Sequence, residues 1–178
     1  MEKCIDHGYL SVFVIFFLNK TCIPTSRIKS SQLLYKKLST LNHSVKTIVS
    51  ASAIGYYGFE ADEVFTEEDK SGADFLANVT KQWEAEVDKL TWLTIRVVKL
   101  RIGIVLSKYG GALKEFMNPL RFGIAAILGN GKQIISWIHI DDLCRLFIKA
   151  IEDENLHGSY NAVAPNPVSN KTLTITLA

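Results

Sequence analysis

The feature that most constrains this chain is a long apolar, β-branched run at Thr94–Leu106 (TIRVVKLRIGIVL), which follows an amphipathic helical pattern. In that pattern Phe75, Val79, Trp83 and Val87 recur every four residues, so they lie along one face of a helix. A β-branched run of this length is typical of a central strand buried on both faces. A helix that leads directly into such a strand predicts an α/β fold with a mostly parallel sheet.

The same alternation continues on both sides of this unit. Upstream, the sequence predicts a helix from about Arg27 to Leu38 and then a buried strand from Val45 to Ser50. Downstream, it predicts a short helix that ends near a proline, a glycine-bounded loop, a helix capped by an aspartate and a short strand; these begin at Ala112, Gly123, Asp141 and Tyr160. Strands and helices therefore alternate along most of the chain.

Composition and charge exclude several functional classes. The 178 residues are 48% hydrophobic and 21% charged, with a net charge of +2, which is a globular balance. A charge this small and dispersed gives no electrostatic footprint for nucleic acid and no charged tail for a membrane surface. Cys4, Cys22 and Cys144 lie far apart without a C-x-x-C spacing, which favours free thiols in an intracellular protein, cytoplasmic or organellar.

The N-terminus carries a nearly unbroken apolar run at Tyr9–Leu18 (YLSVFVIFFL). It is too short to cross a hydrocarbon core, which needs about 20 helical residues. A buried parallel strand is the favoured interpretation, because Val, Ile and Phe dominate the run. A signal-peptide core and a non-native segment stay open as alternatives. We assign residues 1–24 to a divergent N-terminal segment.

Three short motifs are candidates for chemistry. Ser50-Ala51-Ser52-Ala53 closes a predicted parallel strand, where open α/β sheets bind ligands, and a serine hydroxyl there can donate to a substrate oxygen. An ordinary tight strand-to-helix turn explains the same residues equally well. Gly129-Asn130-Gly131-Lys132 lacks the spacing of a phosphate loop and is interpreted as a turn. His139 and Asp141 are too few ligands for a metal, so no metal site is predicted.

Four longer motifs follow one another along the chain: SASAIGYYG at Ser50–Gly58, LRIGIVLSKYGGAL at Leu100–Leu113, WIHIDDL at Trp137–Leu143 and YNAVAPNPVSN at Tyr160–Asn170. Their order and spacing resemble the extended short-chain dehydrogenase/reductases. The greatest similarity is to the nucleoside-diphosphate-sugar epimerase-like group, which includes family 39U. The resemblance spans about residues 25–172.

This resemblance implies a Rossmann-type parallel sheet with helices on both faces that binds NADP. Ser52 matches the catalytic serine position, and Arg27 lies where the family places a cofactor-contacting arginine, whose guanidinium suits phosphate oxygens. The cofactor contacts that it implies are Arg27, Ser50, Ser52, Arg101, Gly103 and Ile104. The residues that it implies for the substrate side are Tyr57, Trp137 and His139.

The chain departs from the superfamily pattern at the acid/base pair. The superfamily uses Tyr-x-x-x-Lys on the helix after the serine, and this chain offers Phe75 and Val79 there. A phenyl ring has no proton to transfer. The acid/base residue that replaces this pair stays open.

The chain also lacks a G-x-x-G-x-x-G turn, whose amides normally hold the cofactor's diphosphate. The expected fold is therefore an incomplete Rossmann-type sheet without the N-terminal glycine-rich βαβ unit, shortened at both ends. We assign residues 25–178 to a partial NAD(P)-binding epimerase-like domain, with substrate-side elements at about 107–140.

These observations favour an epimerase-like NADP-dependent oxidoreductase, or a segment of one, that acts on a small carbonyl or sugar-nucleotide compound. The alternative is a non-catalytic relic or an interaction protein that keeps the fold without cofactor turnover. No nucleic-acid or membrane partner is expected. Homo-oligomers, or pairing through exposed sheet edges, are expected because missing strands leave unpaired backbone groups.

Overall fold

A computed structural model describes residues 22–58 and 64–178 of the chain. The apolar run Tyr9–Leu18 lies outside the described residues, so its assignment as a strand or as a signal-like segment stays a prediction.

Helices and strands alternate through the described residues. The helices are α1 (Cys22–Thr40), α2 (Phe75–Asp88), α3 (Ala112–Leu120), α4 (Ile140–Glu152) and α5 (Asn170–Leu177). The strands are β1 (Thr47–Ala53), β2 (Arg96–Ile102), β3 (Ile104–Ser107), β4 (Gly110–Gly111), β5 (Ile134–Ile135), β6 (Trp137–His139), β7 (Gly158–Ala162) and β8 (Val168–Ser169). Two 3-10 segments, Ile54–Tyr57 and Lys89–Leu93, follow β1 and α2.

The main sheet has the strand order β1-β2-β7, and both of its pairings are parallel. The remaining strands form two smaller ladders, β4-β3-β6 and β5-β8. The α/β fold with a parallel sheet that the sequence predicts is therefore confirmed.

The two faces of the main sheet are covered by different helices. Val98 packs in one buried cluster with Leu143 and Ala150 of α4, whereas its neighbour Val97 packs in another with Val87 at the end of α2. Successive strand residues point to opposite faces, so α4 covers one face and α2 the other. Helix α1 packs on α2 and completes the second layer.

The apolar run Thr94–Leu106 does not form the single strand that its composition predicts. It divides at Gly103 into β2 and β3, which belong to different sheets. A Cβ at Gly103 would lie 2.5 Å from the carbonyl oxygen of Ser136, so only glycine lets the backbone pass this close. The amide of Ile104 then donates to the Ser136 oxygen at 2.8 Å, and the chain turns into the second ladder.

Helix termini show where the sequence patterns succeed and where they fail. Asp74 caps α2 and accepts a hydrogen bond from the Ala77 amide at 2.8 Å. The cap of α4 is His139 rather than the predicted Asp141: its ring Nδ1 accepts a hydrogen bond from the Asp141 amide at 3.2 Å. Helix α3 continues through Pro119 to Leu120.

The far end of α4 is held by one arginine from the sheet. The Arg96 guanidinium donates to the carbonyl oxygens of Ala150 at 2.9 Å, Leu156 at 2.8 Å and Ile151 at 3.0 Å. Ala150 and Ile151 lie in the last turn of α4, where carbonyls lack partners inside the helix, and a cation suits the negative end of the helix dipole. No helix among the described residues is long and apolar enough to cross a membrane.

Candidate functional site

Three polar side chains lie side by side at the carboxyl edge of the main sheet. The register places Ser52 of β1 opposite Arg101 of β2, and Arg101 opposite Asn161 of β7. The preceding row on the same face is Ser50, Lys99 and Ser159. This face of the sheet, which α2 covers, is therefore polar at its carboxyl end.

Glu84 of α2 is the centre of this polar layer and is only 5% exposed. Its Oε1 accepts hydrogen bonds from Ser52 Oγ at 2.5 Å and from Arg101 Nε at 2.9 Å. Its Oε2 accepts from Arg101 Nη2 at 2.9 Å, so the guanidinium binds the carboxylate in bidentate fashion. Lys99 Nζ lies 3.8 Å from Glu84 and 2.7 Å from Asp88. The layer is thus a buried, paired charge cluster.

The second edge of the Arg101 guanidinium meets the aromatic segment after β1. Nη1 of Arg101 donates to the Tyr57 hydroxyl at 2.9 Å, and that hydroxyl donates to Asn161 Oδ1 at 2.8 Å. The guanidinium carbon lies 3.5 Å from the centre of the Tyr56 ring, a cation–π contact. Arg101 therefore links α2, the end of β1 and β7.

Burial and hydrogen bonding oppose each other in setting the protonation of this cluster. Burial alone would raise the pKa of Glu84, but hydrogen bonds from Arg101 and Ser52 and the charges of Arg101 and Lys99 outweigh it and lower the pKa. Burial raises the pKa of Tyr57, and its bonds with Arg101 and Asn161 oppose this only in part. Burial would lower the pKa of Arg101, but Glu84 and Tyr57 raise it overall. The carboxylate and guanidinium therefore stay ionised, and the phenol stays protonated.

The predicted cofactor residues are only partly brought together. The Ser50 hydroxyl donates to the Ala51 carbonyl at 3.0 Å. The Gly103 amide donates to the Ala162 carbonyl at 3.2 Å, and the Ile104 amide donates to the Ser136 carbonyl. Arg27 is exposed on α1, with its guanidinium carbon 5.5 Å from the centre of the Trp83 ring. Ser52 and Arg101 share the Glu84 carboxylate.

The predicted substrate-side residues divide in the same way. Tyr57 belongs to the Arg101 cluster, whereas Trp137 and His139 lie on β6 in the second ladder. Trp137 Nε1 donates to the Asn166 carbonyl at 3.1 Å, and His139 caps α4.

Sequence reasoning missed Glu84, Lys99, Asn161 and Tyr56, although one signal was present. Lys99 and Arg101 are two residues apart in a mainly apolar strand, so they share a face. Buried cations need partners, which points to an acid on the covering helix.

Leu76 and Thr80 of α2 lie against Gly55, in the short segment that follows Ser52 and β1. A Cβ at Gly55 would lie 3.6 Å from Leu76 Cβ and 3.9 Å from Thr80 Oγ1. These two residues are four apart, the same spacing as Tyr-x-x-x-Lys. Neither carries a phenol or an amine, so these two positions supply no Tyr-Lys pair either.

The described residues fit a dinucleotide only in part. Arg27 is an exposed cation that could contact phosphate oxygens. The amides of Gly103 and Ile104 and the hydroxyl of Ser52, in contrast, already donate hydrogen bonds to other groups of the protein. The sequence also supplies no glycine-rich phosphate turn.

Comparison with known proteins decides the family. No family model matches the chain. An epimerase family protein of Staphylococcus epidermidis is 37% identical over 161 residues, 90% of this chain and 54% of that protein. The chain belongs to the epimerase-like group of the short-chain dehydrogenase/reductases. It spans about half the length of the curated relatives it matches.

Solved structures of this epimerase-like group have the same fold. The nucleoside-diphosphate sugar epimerase of Corynebacterium glutamicum is 34% identical with a TM-score of 0.80, and the match covers 98% of this chain and 36% of that one. The human epimerase family protein SDR39U1, solved with NADPH, is 30% identical with a TM-score of 0.79, over 89% of this chain and 55% of that one.

Proposed function

We propose that this epimerase-like chain binds NADPH at the carboxyl edge of its main sheet, as part of an oxidoreductase or epimerase that acts on a small carbonyl or sugar-nucleotide compound. The observation that carries the proposal is the NADPH in the structure of the human relative, which matches 89% of this chain. Ligands of open α/β sheets bind at this edge, where Ser52 and Arg101 lie.

Titration of the purified chain with NADPH tests the proposal. At a ligand concentration of 100 times Kd, binding adds about 2.7 kcal/mol to the free energy of unfolding, which thermal unfolding detects. The fluorescence of NADPH gives Kd independently. If neither signal changes, the proposal is wrong for this chain. Equal affinity for NADH would remove the preference for NADP while leaving dinucleotide binding intact.

A matched pair of variants tests the role of Arg27. Loss of a charge-assisted hydrogen bond costs about 1.5–3 kcal/mol, so Arg27→Ala should weaken NADPH binding at least tenfold. Arg145→Ala is the control, because Arg145 is equally exposed but lies on α4, across the sheet. Equal affinities of the two variants would remove Arg27 from the proposed site.

A second candidate function is nucleotide binding without turnover. It is favoured by Leu76 and Thr80, which lie against Gly55 just after the serine-containing end of β1 and have no group suited to acid/base work in the manner of a Tyr-Lys pair. Absorbance at 340 nm separates the candidates: oxidation of NADPH by any member of a panel of aldehydes and sugar nucleotides would exclude the non-catalytic one.

A further inference from the structure

Residues 65–69 form a strap across one edge of the main sheet. The Phe65 ring stacks on Tyr57, with centroids 4.9 Å apart and planes at 6°. The Glu67 carbonyl accepts from Arg101 Nη1 at 3.3 Å, and the Phe65 carbonyl accepts from Asn161 Nδ2 at 3.4 Å. The shortest of these hydrogen bonds is made by the Glu67 carboxylate, whose Oε1 accepts from the Asn161 backbone amide at 2.7 Å.

The strap is also braced internally. The Asp69 carboxylate accepts from the Thr66 amide at 2.6 Å and from the Thr66 hydroxyl at 2.9 Å, and the Asp69 amide returns a bond to the Thr66 carbonyl at 3.2 Å. This closed turn presents the carboxylate of Glu67 without help from a strand.

The amide that Glu67 binds is an outward-facing group of an edge strand. Strand β7 pairs with β2 on one side, and no strand within residues 22–58 or 64–178 pairs with its other side. The Ala162 carbonyl accepts from Gly103, so Ala162 faces β2. Backbone groups alternate along a strand, so Ser159 and Asn161 point away from β2.

Strand β7 has no charge of its own to prevent pairing. Its sequence, GSYNA, is neutral, and natural proteins commonly protect such edges with charged side chains or covering loops. Glu67 supplies both a charge and a covering loop, because its carboxylate binds the Asn161 amide at the strand edge and thereby holds the strap over that edge. Two neutral β7 edges can pair antiparallel about a two-fold axis, with the same residues contributed by each copy.

We propose that the strap is a latch on the outer edge of β7, and that its release converts this edge into a pairing surface for a second copy of the chain. The latch acts mainly through the Glu67 carboxylate–Asn161 amide bond and the Phe65–Tyr57 stack, and the carbonyls of Phe65 and Glu67 add two longer hydrogen bonds.

Amide hydrogen exchange of the full chain tests the latch. Glu67→Ala should speed exchange at Asn161 about tenfold, which corresponds to roughly 1.4 kcal/mol. Glu68→Ala is the control, because Glu68 is the adjacent exposed acid of the same strap and should leave this amide unchanged. Phe65→Ala, which keeps the carboxylate but removes the ring stack, should also speed exchange. Unchanged exchange at Asn161 in Glu67→Ala would overturn the latch.

Light scattering after size-exclusion chromatography tests the pairing. Glu67→Ala should form a concentration-dependent dimer, whereas the wild type and Glu68→Ala should remain less associated at equal concentration. Adding Ser159→Pro removes an outward amide without removing a bond to β2, so the double variant should lose this dimer. A Glu67→Ala chain that stays as monomeric as wild type, or a dimer that survives Ser159→Pro, would overturn pairing through β7.

Discussion

The carboxylate of Glu84 is the group on which the buried layer between α2 and the sheet depends. Glu84→Gln removes its charge and leaves the Arg101 guanidinium, 3% exposed, without an anionic partner. Breaking a buried ion pair by removing one member costs about 3–5 kcal/mol, because the remaining charge is uncompensated. Since a domain's total stability is typically about 5–15 kcal/mol, the variant should lose a large share of it.

Urea unfolding followed by far-UV circular dichroism measures this loss. The comparison uses wild type, Glu84→Gln, Arg101→Met and the double variant. Removing both charges leaves neither unpaired, so the double variant should be more stable than the sum of the single losses predicts. Glu86→Gln is the control: Glu86 of the same helix pairs with the partly exposed Lys89, which directly follows that helix, so this substitution should cost less than about 1 kcal/mol.

The pH dependence follows from the lowered pKa of Glu84. A carboxyl whose folded pKa is below its unfolded value stabilises the fold above the unfolded pKa and loses that contribution as the pH falls through the folded one. The ordinary value here is 4.5. The stability gap between wild type and Glu84→Gln should therefore be full at neutral pH and narrow below about pH 4.5.

The reasoning would be refuted if Glu84→Gln lay within about 1 kcal/mol of wild type at pH 7, the range of an exposed pair. It would also fail if the losses from Glu84→Gln and Arg101→Met added fully in the double variant. Either result would mean that the two groups do not depend on each other.

Two further substitutions test the fold. Arg96→Ala removes the donors to the last carbonyls of α4 and should lower the unfolding free energy by about 1.5–3 kcal/mol in the same urea assay, with little rescue by lysine. Gly103→Ala places a Cβ 2.5 Å from the Ser136 carbonyl oxygen, a backbone atom that cannot rotate away. It should cost about 1–3 kcal/mol, and a loss no greater than that of Gly55→Ala, where the nearest atom lies 3.6 Å from the added Cβ, would contradict the close approach.

The sequence predicted the elements of this fold better than their connections. Periodicity located α2, and the apolar strand predicted from Val45 to Ser50 overlaps β1, which runs from Thr47 to Ala53, because burial on one face or both leaves a direct mark on residue type. The division of Thr94–Leu106 at Gly103 left no such mark, since both halves are equally apolar. What divides them is a contact with Ser136, 33 residues away, and a local pattern does not contain distant contacts.

The candidate site was predicted in location but not in partners. The strand pattern placed Ser52 at the carboxyl end of a parallel strand, and the register of β1 and β2 brings Arg101 opposite it there. The carboxylate that joins them lies on α2, directly after Trp83 of the apolar stripe, where an acid is easily taken for a solvent-exposed residue. Only the pairing of strand and helix shows that Glu84 faces inwards.

The direction of the hydrogen bonds constrains what chemistry this edge can perform. A serine or tyrosine hydroxyl can donate one hydrogen bond. Here the Ser52 hydroxyl donates to the Glu84 carboxylate, and the Tyr57 hydroxyl donates to the Asn161 side-chain oxygen. To donate to a ligand, either hydroxyl must first break a bond to a buried acceptor, and for Ser52 that acceptor is a carboxylate whose unmet bond is costly. In the arrangement described, Ser52 is therefore better suited to holding α2 in place than to polarising a substrate oxygen. A Ser52→Ala variant that binds NADPH with wild-type affinity but unfolds at a lower urea concentration would agree with this role. Weaker NADPH binding at unchanged stability would instead show that Ser52 contributes to cofactor binding.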